Sequence, residues 1–348
     1  MTDPGSADEP PQELDVVGIG SPLVDVLATA TDEAIAAAGL ERGSMALVDL
    51  ARAEQIYAAM GSTTEASGGS AANTVAGVAA LGGSAGFVGK IADDLLGRVF
   101  THDIAATGVH FEAVTADGPA AGGADPELLG TGRCLVLVSQ DAERTMATHL
   151  GVATTIGPDD VPEALLSRGR IVYLEGYLWD LPPAKAAMRQ AMAVAHRGEG
   201  AVALSLSDPF CVDRHQREFL DLLLDDVDVL FANEEEITRL FGVRSLDQAL
   251  EAAEETGLLV AVTLGARGSV VLTARGPVEV PAEEVPAVVD TTGAGDLYAA
   301  GFLYGLTHGA DPERCARLGA LCAGEVIGHL GARPRADLAS LATAAGLL

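Results

Sequence analysis

From Ile156 onward, short runs rich in β-branched and apolar residues alternate with stretches whose apolar residues recur at helical spacing. The runs are Ile171 to Leu174, Val202 to Leu206, Val229 to Phe231, Leu259 to Leu264 and Val270 to Leu272. Strands that are apolar throughout and separated by helices call for a largely parallel sheet covered on both faces, with ligands at the carboxyl ends of its strands. The upstream chain adds an opening strand, Leu14 to Gly20, a helical stretch over Thr31 to Ala38, and a strand-like Met45 to Val48. A helix around Ala51 to Met60, a helix of small residues within Gly68 to Leu81 and a strand from Ala85 to Val88 follow. From Val109 the pattern becomes strand-like with short hairpins, through Cys134 to Val138 and Arg144 to Thr148, around a Gly/Ala/Pro excursion at Asp117 to Gly130. Two strand-rich pieces, about 24–45 and 112–150, are expected to project as a small β lid. Residues 1–12, acidic and Pro-rich, are expected to form a disordered leader.

The stretch Asp290-Thr-Thr-Gly-Ala-Gly-Asp-Leu-Tyr-Ala-Ala-Gly-Phe302 carries the chemistry. Val285 to Val289 reads as a short strand and a helix begins near Leu297, so Gly293, Ala294 and Gly295 fall at a strand-to-helix turn. Small residues there let backbone N–H groups crowd a ligand, and the helix N-terminus adds partial positive charge. A carboxylate is out of place in such an anion hole. Asp296, in the first helical turn, could take a proton from a hydroxyl attacking a phosphate held by those amides. An ordinary helix start with an acidic residue complementing the dipole accounts for the heptapeptide equally well.

Composition excludes several classes. With 348 residues and 49% hydrophobic content, the chain is globular. No apolar stretch reaches membrane-spanning length and Met1 to Gln12 lacks the core of a signal peptide. The formal charge is −29, with Lys only at Lys90 and Lys185, a surface that repels nucleic acid and anionic membranes. Four scattered cysteines fit a reducing cytoplasm. An anionic phosphate ester must then be held by amides, a divalent metal and a few local arginines.

Three other motifs fail on context. Gly18-Ile19-Gly20 lacks the third glycine of a dinucleotide turn, and Lys90 lacks the rest of a P-loop. Gly82-Gly83-Ser84-Ala85-Gly86 leaves a helix and enters a strand, the reverse of the setting that exposes a nucleophilic serine.

Four elements in register, spread from Leu14 to about Arg333, resemble the PfkB (ribokinase-like) kinase family. Asp290 to Leu303 is similar to its carboxyl-terminal signature and Ser67-Gly68-Gly69-Ser70-Ala71-Ala72-Asn73-Thr74 to its Gly-Gly signature. Asn233-Glu234-Glu235-Glu236 is similar to its N-x-x-E motif and Leu264-Gly265-Ala266-Arg267-Gly268-Ser269 to its nucleotide-side loop. One departure is Ala92, which stands where many relatives have the second Gly of Gly-x-x-Gly-x-Asp. Within the family the chain looks most like bacterial adenosine kinases, because Gly39 to Asp49 and the following helix resemble the longer connection of the nucleoside branch.

The resemblance implies a ribokinase-like three-layer sandwich with a largely parallel central sheet and a small β lid. It implies an ATP-dependent, Mg²⁺-assisted nucleoside or sugar kinase, monomeric or homodimeric, with the 5′-hydroxyl of adenosine or a similar nucleoside as acceptor. A ribokinase- or fructokinase-like sugar kinase and a non-catalytic nucleoside- or nucleotide-binding regulator are the alternatives. On this reading Asp25, Gly68, Gly69 and Asn73 hold the sugar. Gly293 to Gly295 hold the transferring phosphate, and Asp296 is the base. Asn233 and Glu236 order Mg²⁺ through water, while Thr263, Gly265 and Gly268 face the nucleotide. Arg144 reaches the phosphates from the lid, and Asp290 with nearby carbonyls offers a potassium site. Glu175-Gly176-Tyr177-Leu178-Trp179 has the aromatic character wanted over a nucleobase, and equally that of a strand end packed in the core. For Glu236 and Arg144 the plain alternatives are an exposed acid and a surface ion pair.

Overall fold

The structure, a computed structural model, describes residues 13–116, 130–141 and 143–348. The expected leader over 1–12 and nearly all of the Gly/Ala/Pro excursion lie outside the described residues. The strands are β1 (Leu14–Ile19), β2 (Leu23–Thr29), β3 (Met45–Leu47), β4 (Thr64–Gly68), β5 (Ala85–Ile91), β6 (His110–Thr115) and β7 (Gly132–Val138). They continue as β8 (Arg144–His149), β9 (Gly169–Glu175), β10 (Ala201–Ser205), β11 (Val229–Asn233), β12 (Leu259–Thr263), β13 (Ser269–Thr273) and β14 (Gly276–Val280). The helices are α1 (Asp32–Ala37), α2 (Leu50–Ala59), α3 (Ser70–Ala80), α4 (Leu95–Ala106), α5 (Glu163–Leu166) and α6 (Pro182–Arg197). After them come α7 (Pro209–Asp225), α8 (Glu234–Phe241), α9 (Leu246–Glu254), α10 (Ala294–Thr307), α11 (Pro312–Val326) and α12 (Leu338–Ala344).

Nine strands form the large sheet in the order β14-β13-β12-β11-β10-β9-β1-β5-β6, parallel from β12 to β6 and closed at one edge by the antiparallel β13–β14 hairpin. Successive side chains of one strand feed opposite faces. Val17 and Ile19 of β1 and Val172 and Leu174 of β9 join a core with α6, α7 and α8. Val16, Ile171 and Tyr173 join another with α3, α10 and α11. The expected three-layer sandwich follows. The strand order reverses at β1, which lies between β9 and β5, so its carboxyl end is a topological switch point where a crevice opens.

The second sheet runs β3-β8-β7-β2-β4. One of its faces packs on α2 through Val26, Ala53, Ile56, Leu135 and Ala147. Three elements differ from the sequence reading. Residues 110–115, expected to open the lid's second piece near 112, form β6 and pair with β5 at the edge of the large sheet. The segment 285–289 is not a strand: the N–H groups of Val289 and Asp290 both reach Ile327 O, so no ladder forms and the helix is entered from a loop. Helix α4 was not anticipated. Its cap, Asp94, accepts from Gly97 N (2.7 Å) and is held by Thr131 N (2.8 Å). Ala92 beside it keeps a negative φ, so this turn does not need the missing glycine.

Helices α10 and α11 cross with backbones nearly touching, since a Cβ on Gly301 would run into the Leu318 carbonyl. Gly301→Ala should therefore lower stability by about 1–3 kcal/mol, the range for overpacking a filled interior. A denaturant midpoint unchanged from wild type would show that the crossing can open.

Candidate active site

A cleft of about 880 Å³ opens at the carboxyl ends of the central strands, between the large sheet and the small one. Its floor is built by three turns from distant parts of the chain. The first is the β4–α3 turn. Gly69 takes φ +96° as the cap of α3, and a Cβ on Gly68 would fall on the carboxyl group of Asp25 in β2. This close approach brings Asp25, Gly69, Ser70 and Asn73 to one side of the cleft.

The second turn is the loop into α10. Gly293 is its left-handed cap (φ +77°), and the first helical turn opens toward the cleft between Thr291 and Gly295, with Ala294 N donating to Thr291 O (3.2 Å). Asp296 sits in that turn. Its Oδ1 accepts from Ser70 Oγ (2.7 Å) and its Oδ2 from Asn73 Nδ2 (2.9 Å). Burial raises the Asp296 pKa above the usual carboxylate value, against the pull of those two hydrogen bonds and of Arg333. Asn73 Oδ1 is buried with no hydrogen-bond partner among the described residues. Burial likewise pushes Asp25 up to about 6, against Arg144 and Arg333, with Asp296 adding to the rise. A hydroxyl donor entering here meets acceptor oxygens at Asp25, Asn73 and Asp296 beside a helix N-terminus.

The third turn is the β11–α8 junction. Asn233 caps α8: its side chain accepts from Glu236 N (2.8 Å), while Glu236 accepts from Asn233 N (2.9 Å) and Nδ2 (2.7 Å). This is a complete capping box. Glu236 is thus a buried acid rather than an exposed one, and burial pushes its pKa to about 7. Asp208, Asn233, Glu236 and Thr263 line the same end of the cleft. Magnesium keeps most of its water and takes few protein ligands. A poorly compensated buried carboxylate beside Asp208 and Asn233 fits that water-mediated role. Among the described residues no group of three or more His, Cys, Asp or Glu makes an all-protein metal cage. Gly265 and Gly268 occupy the β12–β13 turn and do not reach the cleft wall.

Three of the expected site residues already have protein partners. Trp179 is fully buried: it packs on Phe219 and donates Nε1–H to Glu218 (2.9 Å), so it offers nothing to a ligand, while Tyr177 does line the cleft and donates to Ser207 O (3.1 Å). Arg144 is buried in an ion pair with Asp290 rather than free to meet phosphates. The Asp290 carboxylate also accepts from Thr292 N (2.9 Å) and Gly331 N (2.7 Å), so both of its oxygens have protein partners. The sequence reading missed Ser70, Glu175 and Arg333. Glu175 Oε1 accepts from Ser21 N (2.7 Å) and Oε2 from Ala71 N (2.8 Å), tying the end of β1 to the start of α3, and burial pushes its pKa to about 7.

Comparisons with known proteins agree with this architecture. The family model "pfkB family carbohydrate kinase" matches residues 42–338. The crystal structure of an adenosine kinase from Sinorhizobium meliloti is 46% identical, with TM-score 0.89, covering 96% of this chain and 99% of that one. A probable sugar kinase from Rhizobium etli is 42% identical, with TM-score 0.89, covering 97% and 100%. An ATP-dependent ribose-1-phosphate kinase from Halopiger xanaduensis is 31% identical over 289 residues, 80% of this chain and 87% of that protein. The chain belongs to the pfkB family of carbohydrate kinases and is an enzyme of the nucleoside and carbohydrate kinase class. Its fold is ribokinase-like. Kinases of this class use ATP, usually with Mg²⁺.

The Asp25 shift makes a stability statement. Its folded pKa, about 6, lies above the ordinary carboxyl value of 3.8, so between these values the folded protein holds a proton that the unfolded chain has released. The contribution of Asp25 to stability therefore falls as pH rises through that window, by about 3 kcal/mol. Asp25→Asn should flatten the dependence of the unfolding free energy on pH between about 4 and 6. An unchanged slope in denaturant titrations would show that Asp25 ionises as easily in the fold as outside it.

Proposed function

We propose that this kinase transfers the terminal phosphoryl group of ATP to the 5′-hydroxyl of adenosine or a similar nucleoside, giving AMP and ADP. The observation that carries the reading is the amphiphilic character of the acceptor half of the cleft. The hydroxyl acceptors are Asp25, on β2 of the small sheet and paired with Cys134, and Asn73 of α3; beside Asp25 the same sheet lines the cleft with Leu23, Met45, Leu47, Cys134 and Met146, with Leu47 53% exposed. A free sugar would match the polar floor and leave that apolar wall wet, whereas a nucleoside engages both. The 46% identity to the Sinorhizobium meliloti adenosine kinase supports the same assignment.

On this reading the sugar hydroxyls donate to Asp25 and to Asn73 Oδ1, which turns the attacking hydroxyl toward Asp296. Asp296 takes its proton as the new O–P bond forms and the bond to ADP breaks. The amides at Gly293 to Gly295 hold the transferring phosphoryl oxygens. Magnesium, held through water by Asp208, Asn233 and Glu236, would supply charge neutralisation on the phosphates. The small sheet, carrying the apolar wall, acts as the lid. A sugar acceptor is the second reading, favoured by the 42% identity to the probable sugar kinase.

Asp296→Asn should preserve folding and nucleoside binding and lower turnover on the order of 10²- to 10⁴-fold, the span of a lost general base. Near-normal ADP production would remove Asp296 from the mechanism. In a competition panel at fixed ATP-Mg²⁺, adenosine should show kcat/KM well above ribose or fructose, and 2′,3′-dideoxyadenosine should be poor because it leaves Asp25 and Asn73 unpaired. A free sugar winning would transfer the assignment to the second reading; nucleoside binding without phosphorylation would leave a regulator.

A further inference from the structure

The tripeptide Gly331-Ala332-Arg333, which follows α11, touches both halves of the reaction site. Gly331 N donates to Asp290 at the entry to the anion turn (2.7 Å). Ala332 is buried against Gly293, where a Cβ would lie 2.7 Å from that of Ala332. Arg333 turns the other way and grips the Gly-pair turn. Its Nη1 donates to Ala72 O (2.6 Å), its Nε to Ser67 O (3.2 Å) and its Nη2 to Ser67 Oγ (3.3 Å). These partners flank Gly68, Gly69 and Ser70 on both sides.

All of those partners are neutral oxygens. The guanidinium charge is therefore not consumed by a contacting carboxylate, and it acts across the short gap on Asp25, Asp296 and Asp103. Asp103 also receives Ser67 N (3.1 Å), so it belongs to the same turn. The ionisable groups coupled to Asp296 from the surrounding elements are Asp25 of β2, Tyr173 and Glu175 of β9 and Tyr177, on which its charge acts, and Arg333, which acts on it. Arg333 is the one cation among them.

We propose that Arg333 is a positioning residue for phosphoryl transfer: it fixes the Gly-pair turn that presents Ser70 and Asn73 to Asp296, and its charge keeps Asp296 ionised while a substrate covers the cleft. The inference rests on the reading of Asp296 as general base. Only the guanidinium does both tasks, since its planar fork reaches two carbonyls while it carries the charge. The direction is fixed by electrostatics. Desolvation favours the protonated acid, and a nearby fixed cation opposes that.

The test is the pH dependence of kcat in Arg333→Lys, Arg333→Gln and Arg333→Met, measured with whichever acceptor wins the substrate panel. In the neutral variants the acid limb should move up by about one pH unit, so that the loss relative to wild type is roughly tenfold greater at pH 6 than at pH 8.5. Arg333→Lys should keep the wild-type limb and lose turnover evenly across pH, because the charge remains while the fork is gone. Acid limbs identical in all four proteins, or displaced equally in Lys and neutral variants, would overturn the proposal. So would the failure of both neutral variants to show a cooperative thermal transition, which would make Arg333 a determinant of the fold. Asp296→Asn with near-normal turnover sinks the base assignment by itself, whatever Arg333 does, so the two failures are told apart.

Discussion

Three carboxylates, those of Asp25, Glu175 and Asp296, are drawn into one poorly solvated cleft, and much of the surrounding structure answers the resulting penalty. Burial drives each toward the neutral acid. A protonated Asp296 could not accept a proton, and a protonated Asp25 would compete as a donor with the hydroxyls it should receive. The compensation comes from different sources: two backbone N–H groups for Glu175, two side-chain donors for Asp296, and the charges of Arg144 and Arg333 acting on Asp25. In a chain with net charge −29 and two lysines, the cations that serve this cluster are both arginines, whose charge survives burial.

The Arg144–Asp290 ion pair extends that logic to the relation between the two sheets. Arg144 begins β8 of the small sheet and Asp290 precedes the anion turn, so a buried pair joins the apolar wall of the acceptor half to the backbone amides of the phosphate half. Pairs of this kind add little net stability but are costly to break singly, which makes them effective at fixing one arrangement. Gly331 N on the same carboxylate brings the carboxyl-terminal segment into the arrangement. Residues from β2, α3, β8, α10 and the segment after α11 are thereby held in one constellation by hydrogen bonds and ion pairs that cross it.

What the sequence revealed was what is local. The small residues and acid of Gly293 to Asp296 declare a helix N-terminus with a carboxylate in it, and the alternation beyond Ile156 declares a parallel sheet. Helix α4 escaped that reading although Leu96, Val99, Phe100 and Ile104 recur at helical spacing, because β5 runs on through Ile91 and hides where the helix begins. Trp179 misled because a strand end would put it on the same face as Tyr177. The chain instead makes a 3₁₀ turn over Gly176–Asp180, which sends the two rings in different directions. The run 285–289 had strand propensity and no neighbouring strand to satisfy it. Arg333 and Glu175 were illegible for a deeper reason. Arg333 grips residues 261 and 266 positions away, and Glu175 those 104 and 154 away, so no spacing pattern near either residue announces its task.

The same physics explains how so acidic a protein can accommodate an anionic phosphate donor. Among the described residues, Arg214 is the only lysine or arginine on the cleft wall, and Asp180 already holds it through two hydrogen bonds of 2.9 and 3.0 Å. Long-range attraction is therefore absent, and the surface field opposes approach until it is screened, over roughly 8–10 Å at ordinary ionic strength. On the proposed reading, recognition falls to contacts with a metal ion and with the amides of the first turn of α10, which act over a few ångströms and gain strength as water leaves the cleft. A site built in this way discriminates by geometry rather than by charge. On the proposed reading, backbone donors fixed at Gly293 to Gly295 would reward a phosphoryl group that arrives in line with the hydroxyl beside Asp296, and would give little to an anion that merely enters the cleft.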